Sequence, residues 1–433
     1  MKSARFGRLA VLGGVLALAV PAVAQANEVT KWNEIAVNTV NAQPPLTSAP
    51  NAGSIFVAMA QGAVYGAVNA TDRHGKPYLV NRSFPKASAD AAAATAAFRV
   101  LYTLFPSAAL QTAYGGSLAG IPNSAAKDQG IKVGEMAAAA MLAEGHDGRT
   151  VIGCTFGSGL AGVWEPLAGP GGAPACDPTP WVGNAKPFVV KSASQFRTAG
   201  PYPLDSAAYA ADVNEVKTLG VWNSVIRTFA QTHAAVFWQT NPAANYNAIA
   251  RRFVEQLSLD LADSARLFAL VDLSSADALI NAWNDKYYWN FWRPITAIHK
   301  ADIDGNPATL QDTTWKPLFD PSVTDPLIIG VGPPTLLTGP PYPDHPSGAT
   351  SYASASMHAF ETFFGTDQMT FYATSSRFPG EQRVFHRFSD LTNEVLEARI
   401  WAGIHFRNAD VQAANLGREV EDYVHTHQFA FVH

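Results

Sequence analysis

Three stretches in the last third of the chain carry residues whose types and spacing could hold a small anion and react with it. The first runs from Lys286 to Pro294 and sets Lys286 and Arg293 seven residues apart among tyrosines and tryptophans. Seven residues are nearly two helical turns, so both cations should share one helix face, about 10 Å apart along the axis. Pro294 disfavours helical geometry at Arg293 and should end that helix there. Two solvated cations on an amphipathic helix would give the same pattern. The second stretch is His345-Pro346-Ser347-Gly348-Ala349. Proline suits the first helical position, which predicts unpaired backbone N–H groups at Ser347 and Gly348. Those amides, the helix dipole and the Ser347 hydroxyl make an anion seat, and Gly348 would let an oxygen approach the backbone. An ordinary helix start would read the same way. The third stretch, Arg399 to His405, lies in a helix predicted over roughly 380–407. Arg399 falls on its apolar stripe, and six residues of helix turn the chain by about 120°, so His405 can share the broad buried face. A buried arginine needs an acid or a bound anion, whereas a core histidine needs only a hydrogen bond.

Together these stretches offer a lysine, two arginines, two amides, a hydroxyl and an imidazole. Cations supply charge, guanidinium forks match oxygens and the imidazole is a nucleophile, which suits a tetrahedral oxyanion such as phosphate or vanadate.

The order K-x6-R-P, P-S-G, R-x5-H resembles the signature of the vanadium-dependent haloperoxidase and type 2 phosphatidic acid phosphatase superfamily. GVWEP at 162–166, KPFVV at 186–190 and RTFAQTHAAVFW at 227–238 resemble its bacterial haloperoxidase-like branch. The resemblance is strongest from about 207 to 425 and implies an all-α fold of two packed four-helix bundles. It implies that Lys286, Arg293, Ser347, Gly348 and Arg399 hold the oxyanion. Lys286, Arg293, Arg399 and His405 would be catalytic, with His405 the vanadate ligand in a peroxidase or the phosphorylated nucleophile in a phosphatase. Vanadate would be the cofactor in the first case, with halide and peroxide as substrates. The second case needs no cofactor and takes a phosphate ester. Where the family usually has P-S-G-H, this chain has Ala349, and Ala398 replaces the usual serine before Arg399. His345, beside the same helix end, is a candidate acid–base substitute; His358, nine residues past Ala349, faces the far side of the helix. Ala349 also keeps open a catalytically impaired oxyanion-binding homologue.

Helices must position these groups, and the chain is rich in helix signals. Apolar spacing predicts helices at 29–40 and along Tyr246, Ile249, Phe253, Leu257 and Leu261. Ala-rich helices are expected at 87–104, with Ser88 and Asp90 at its start, and at 124–144. Ser274 and Asp277 form a capping-box pattern that predicts a helix over 275–292. A further helix is expected over 346–364, and no strand alternation stands out. Gly and Pro dominate 145–206, which reads as a wrapping loop tied down by a Cys154–Cys176 disulfide. Nine prolines mark a second loop at 301–345. The Asp302, Asp304 and Asn306 group around Gly305 reads as a polar turn, because the glycine is misplaced for a calcium loop.

The 433 residues are 48% hydrophobic and 15% charged, a globular composition with room for a large core. Lys2, Arg5 and Arg8 precede a short apolar run and an A-x-A pattern ending at Ala26, the marks of a secretory signal over residues 1–26. This predicts secretion or periplasmic location, N-terminal helices and wrapping loop over 27–206, and the core with the oxyanion site over 207–433. Losing the three leader cations would take the net charge from −5 to −8. That argues against nucleic acid as partner. No stable membrane span is expected, and the reading leaves room for a homo-oligomer.

Overall fold

The structure, a computed structural model, describes residues 27–150, 157–168, 173–320 and 339–430. The leader expected over 1–26 and Cys154 lie outside the described residues, while Cys176 is disulfide-bonded.

Side-chain caps start most of the helices. Asn27 opens α1 (Glu28–Asn41) by accepting the Thr30 amide, and Ser88 opens α3 (Ala89–Leu104) in the same way. Between them lies α2 (Pro50–Thr71), which is buried around nearly its whole circumference. Its polar residues, Gln61 among them, are buried with the rest, so no solvent face sets a periodicity. Helices α4 (Ala108–Gly120) and α5 (Ala125–Ala143), capped by Ser107 and Ser124, complete the first group.

The wrapping loop follows, and then α6 (Ala207–Leu219), α7 (Phe229–Phe237) and α8 (Pro242–Leu257). The next helix, α9, is unbroken from Leu261 to Trp289 and capped by Asp260. The expected start near 275 is therefore wrong. Ser274 and Asp277 cap nothing and are fully buried. Asp277 instead accepts the amides of Phe188, Val189 and Val190 at 2.6–3.0 Å. The capping pattern was thus a clamp for the wrapping loop. Asp285 repeats the device: it takes the Thr198 amide and hydroxyl and a salt bridge from Arg197. Among its described residues the loop's helical structure is a short 3-10 turn at Pro180–Asn184, and carboxylates inside the helix it crosses fix it.

Helix α9 is the common spine. It packs on α2 in the first group and on α11 (Gly348–Phe364) in the second. A single hydrophobic core runs from Val29 to Phe429 across both groups. Between α9 and α11 stands the short α10 (Pro294–His299).

The expected helix over 380–407 is overturned. Residues Phe371–Ser375 and Phe378–Phe385 form an antiparallel hairpin, β1–β2, with a register shift at Thr374/Ser375. Helix α12 covers only Phe388–Trp401, and Gly403, at φ +76, turns the chain into α13 (Arg407–Val424). Among the described residues the fold is all-α apart from this hairpin and isolated bridges. Among the described residues no helix is long and apolar enough to cross a membrane. The group at 302–306 is a polar turn, with Asp304 accepting the Asn306 amide at 2.8 Å and the Thr309 hydroxyl at 2.7 Å.

Candidate active site

Lys286 sits in the last turn of α9, which Asn290 ends in a left-handed conformation, φ 46. The chain then runs extended to Arg293, the residue before α10. Helix α9 thus stops three residues earlier than expected, and Pro294 starts a helix rather than ending one. The two cations nevertheless converge, because both reach the Pro343 carbonyl, Lys286 Nζ at 2.9 Å and Arg293 NH2 at 3.3 Å.

Lys286 is fully buried, and its three N–H bonds go to the carbonyls of Pro343, Asp344 and Pro346 at 2.6–3.0 Å. An ammonium has three donors, so none remains for a ligand. Burial, then the Arg293 charge, hold its pKa well below the usual lysine range. Arg293 donates to the carbonyls of Tyr342 and Ile404 at 2.8 and 2.7 Å. The main chain of 342–346 therefore forms a shell of acceptors around both cations.

His405 stands in the turn between α12 and α13, not on a helix, and is 2% exposed. Its Nε2 lies 3.2 Å from Arg293 NH1. A guanidinium only donates, so Nε2 carries the lone pair and the proton is on Nδ1. Nδ1 approaches Asp344 Oδ1 to 2.9 Å, but off the hydrogen-bonding line, which leaves both atoms without a directional partner. Burial, together with the nearby Arg293 and Lys286 charges, pushes the His405 pKa well below the ordinary histidine value. Burial raises the Asp344 pKa to about 8 against the pull of Arg293 and Lys286.

Arg399, in the last turn of α12, is 8% exposed, and its Nε has no hydrogen-bond partner. Its balancing acid is Asp410, too far for an ion pair, whose own pKa burial raises to about 7. Arg399 borders a cavity of roughly 490 Å³, with Trp238, Tyr246, Trp283, Tyr342, Tyr352, Gly348 and Ala349 also on its wall. That size suits a small organic molecule. Lys286, Arg293 and His405 are not on its wall; Lys286 and Arg293 pack against the Tyr342 ring, which is.

At the head of α11 the serine is the N-cap itself. Its hydroxyl accepts the Thr350 amide, and its own N–H donates to the Ala409 carbonyl at 3.0 Å. The expectation of a free Ser347 amide is thus corrected: α13 supplies an acceptor the sequence pattern could not reveal. Gly348 is the first helical residue, whose N–H has no acceptor within the helix. A Cβ there would meet the Trp283 ring at 2.5 Å, so packing also requires the glycine.

The turn that carries His405 is wedged from outside. Gly403 packs on Gly220 at the end of α6, where an added Cβ would come within 2.4 Å of the Gly403 Cα. Arg227 binds this junction, donating to the carbonyls of Leu219 and Val221 on one side and of Trp401 on the other, at 2.5–3.4 Å.

The family described as the VCPO second helical-bundle domain matches residues 266–433. Vanadium chloroperoxidase of Curvularia inaequalis is 28% identical over 204 residues, covering 39% of this chain and 31% of that protein. The match thus spans about a third of the relative's length. Residues 266–433 thus resemble the second helical bundle of the vanadium chloroperoxidases. Solved structures extend the likeness in fold to nearly the whole chain. A bacterial vanadium-dependent iodoperoxidase matches with TM-score 0.71 and 23% identity, covering 93% of this chain and 96% of its own. A holo-type bacterial vanadium-dependent chloroperoxidase matches with TM-score 0.68 and 16% identity, covering 93% and 97%.

In this haloperoxidase-type bundle, Lys286, Arg293 and His405 gather round one point, with Arg399 and Gly348 at the cavity wall. Ser347 is beside them but committed to the helix start. His345 is 1% exposed and bonds Thr198 Oγ1 through Nε2 at 3.0 Å; burial, then the Lys286 charge, lower its pKa to about 3. A second proton on the ring is therefore disfavoured near neutral pH, which argues against His345 as a general acid in this geometry. Sequence reasoning missed Asp344 and Asp410, although one precedes His345 and the other follows His405 by five residues. An acid that close to a cationic motif was the available signal.

Proposed function

We propose that the chain is a vanadium-dependent haloperoxidase-type enzyme that oxidises halide with hydrogen peroxide, with vanadate held at His405. The observation that carries this reading is the state of His405: buried, neutral, and with the Nε2 lone pair turned toward the cation cluster. The donor set fits an oxyanion in kind. The unpartnered Nε of Arg399 and the Gly348 amide would donate to its oxygens. Lys286 and Arg293 would contribute mainly charge, which in this dry setting outweighs what the same groups give in water. Bound vanadate would activate hydrogen peroxide for attack by halide without changing its own oxidation state. Arg293, donating to Nε2, keeps the proton on Nδ1, and an oxyanion bonded at Nε2 would displace that contact. The aromatic cavity would admit an organic acceptor and exclude bulk water. Ala349, on that wall, supplies no proton.

The same lone pair also suits attack on phosphorus, so phosphomonoester hydrolysis is the second reading. Export through residues 1–26 is proposed as well, and a disulfide-bonded Cys176 supports it, since disulfides persist in oxidising compartments. The purified chain with vanadate, peroxide and bromide should brominate a dye, while a chromogenic phosphate ester without vanadate should stay intact. Hydrolysis without bromination would select the second reading. Saturable vanadate binding with neither activity would mark an impaired homologue. His405→Ala should lower whichever rate appears by at least about a thousandfold. A surviving rate would remove His405 from the chemistry.

A further inference from the structure

Helices α11 and α13 meet a second time, well past the cation cluster, at His358. This ring has an acid on every polar edge. Nδ1 lies 2.9 Å from Glu361 Oε2, and Nε2 lies 2.9 Å from Asp422 Oδ1 and 3.4 Å from Glu421 Oε2. Arg418 also donates to Glu361 Oε2, at 3.2 Å, which fixes that carboxylate as the acceptor for Nδ1–H. The Nε2 edge then faces two carboxylates.

A second proton on the ring would satisfy Asp422 but not the remaining oxygen. Glu421 is fully buried; its Oε1 accepts the Thr362 hydroxyl at 2.7 Å, and its Oε2 has no hydrogen-bond partner. A buried, unpaired carboxylate oxygen aimed at an imidazole is costly. A cation between them removes the cost, because it accepts a lone pair from both carboxylates and from Nε2 at once. One ligand atom from each of His358, Glu421 and Asp422 lies within 4.8 Å of the others. Bonds of roughly 2.0–2.2 Å to a tetrahedral zinc-like ion set its ligand atoms roughly 3.4 Å apart, so a shift of a few tenths of an ångström that opens the His358–Asp422 contact would admit one. Nearby, His425 Nδ1 is another buried nitrogen without a partner.

We propose that His358, Glu421 and Asp422 bind a divalent transition-metal cation of the zinc type. Imidazole with two carboxylates favours such an ion over calcium or magnesium, which prefer oxygen alone. Glu361 is the outer carboxylate that orients the ligating ring. Asp422, 65% exposed, gives the entry path and leaves a coordination position for water. The ion would staple α13 to α11.

Chelator-treated, untagged full-length chain should bind one Zn²⁺ per molecule in calorimetry, with a rise in Tm, and Co²⁺ should give visible d–d absorption. Ca²⁺ should do neither. Glu421→Gln keeps the shape and the Thr362 contact, and Asp422→Asn changes an exposed position; each should weaken Zn²⁺ at least tenfold while circular dichroism stays native. Absence of saturable Zn²⁺ binding in the unaltered chain overturns the proposal, as does unchanged affinity in either folded variant.

Discussion

Arg399 is the cation whose donors are least committed, and the proposed chemistry leans on it most. Lys286 and Arg293 are tied to main-chain carbonyls and can lend charge without moving. Arg399→Lys keeps a charge but loses the planar fork and its unpartnered Nε. Vanadate or phosphate affinity should fall about 10–100-fold, roughly 1.4–3 kcal/mol, in equilibrium titration. An unchanged affinity would mean that the anion is held elsewhere. Ala349 offers the complementary gain-of-function trial. Its side chain is on the cavity wall beside Gly348, where an imidazole could face Arg399 across open space. If proton supply limits turnover, Ala349→His should raise bromination about tenfold or more with little change in vanadate affinity. Steady-state rates at fixed vanadate decide it. The cationic residues and His405 stood out through the joint order of three motifs and the family resemblance it carries. The shared helix faces inferred from spacing failed, since Arg293 and His405 lie outside the helices that bear Lys286 and Arg399. The carbonyl shell at 342–346 was not legible, because main-chain atoms leave no mark in a sequence pattern. The role assigned to the Ser347 amide failed for the same reason: its acceptor, the Ala409 carbonyl, comes from another helix.

Among the elements, α9 does two jobs: it crosses the core and presents carboxylates that fasten the wrapping loop. A third acid, Asp272, is held less well. Asn247 donates to its Oδ1 at 2.8 Å, but Oδ2 has no partner, and burial raises its pKa to about 7. In the unfolded chain it ionises near pH 4, whereas in the fold it stays protonated to about 7. Between those values the unfolded state holds fewer protons at this group, so stability falls as pH rises, and the cost is complete above 7. Asp272→Asn should flatten that decline by on the order of 3 kcal/mol between pH 4.5 and 8 in urea unfolding. Parallel curves for the variant and the parent would refute it. Elements with one apolar face, such as α1 and α8, could be read before the structure, although Leu261 on the expected α8 stripe opens α9 after a left-handed Ser258; so could the Ala-rich α3 and α5. Those that depart from these rules could not. Helix α2 is buried all round, and α9 has polar residues on its buried faces. Strand β2 is largely exposed along its length and never alternates strictly.

Across the whole molecule, the pocket depends on pieces far from it in the chain. The hydrophobic core is shared between the two helix groups, and Gly220 on α6 touches Gly403 beside His405. Gly220 has an ordinary helical backbone, φ −84, so what opposes alanine there is contact: Gly403, and the Val216 carbonyl oxygen at 2.7 Å. Gly220→Ala should therefore act at a distance, shifting the His405 turn by a fraction of an ångström to about 1 Å. Turnover should drop about 10–100-fold with only a small loss in Tm. Full activity would show that the turn holds its shape unaided.

That glycine pair also bears on engineering. The last motif is not a portable cassette. Copied into another helical scaffold without a slender surface to lean on, Arg399 to His405 would keep its letters and lose its aim. A designer borrowing this pocket would have to carry α6 along with it, and Arg227 as the rivet.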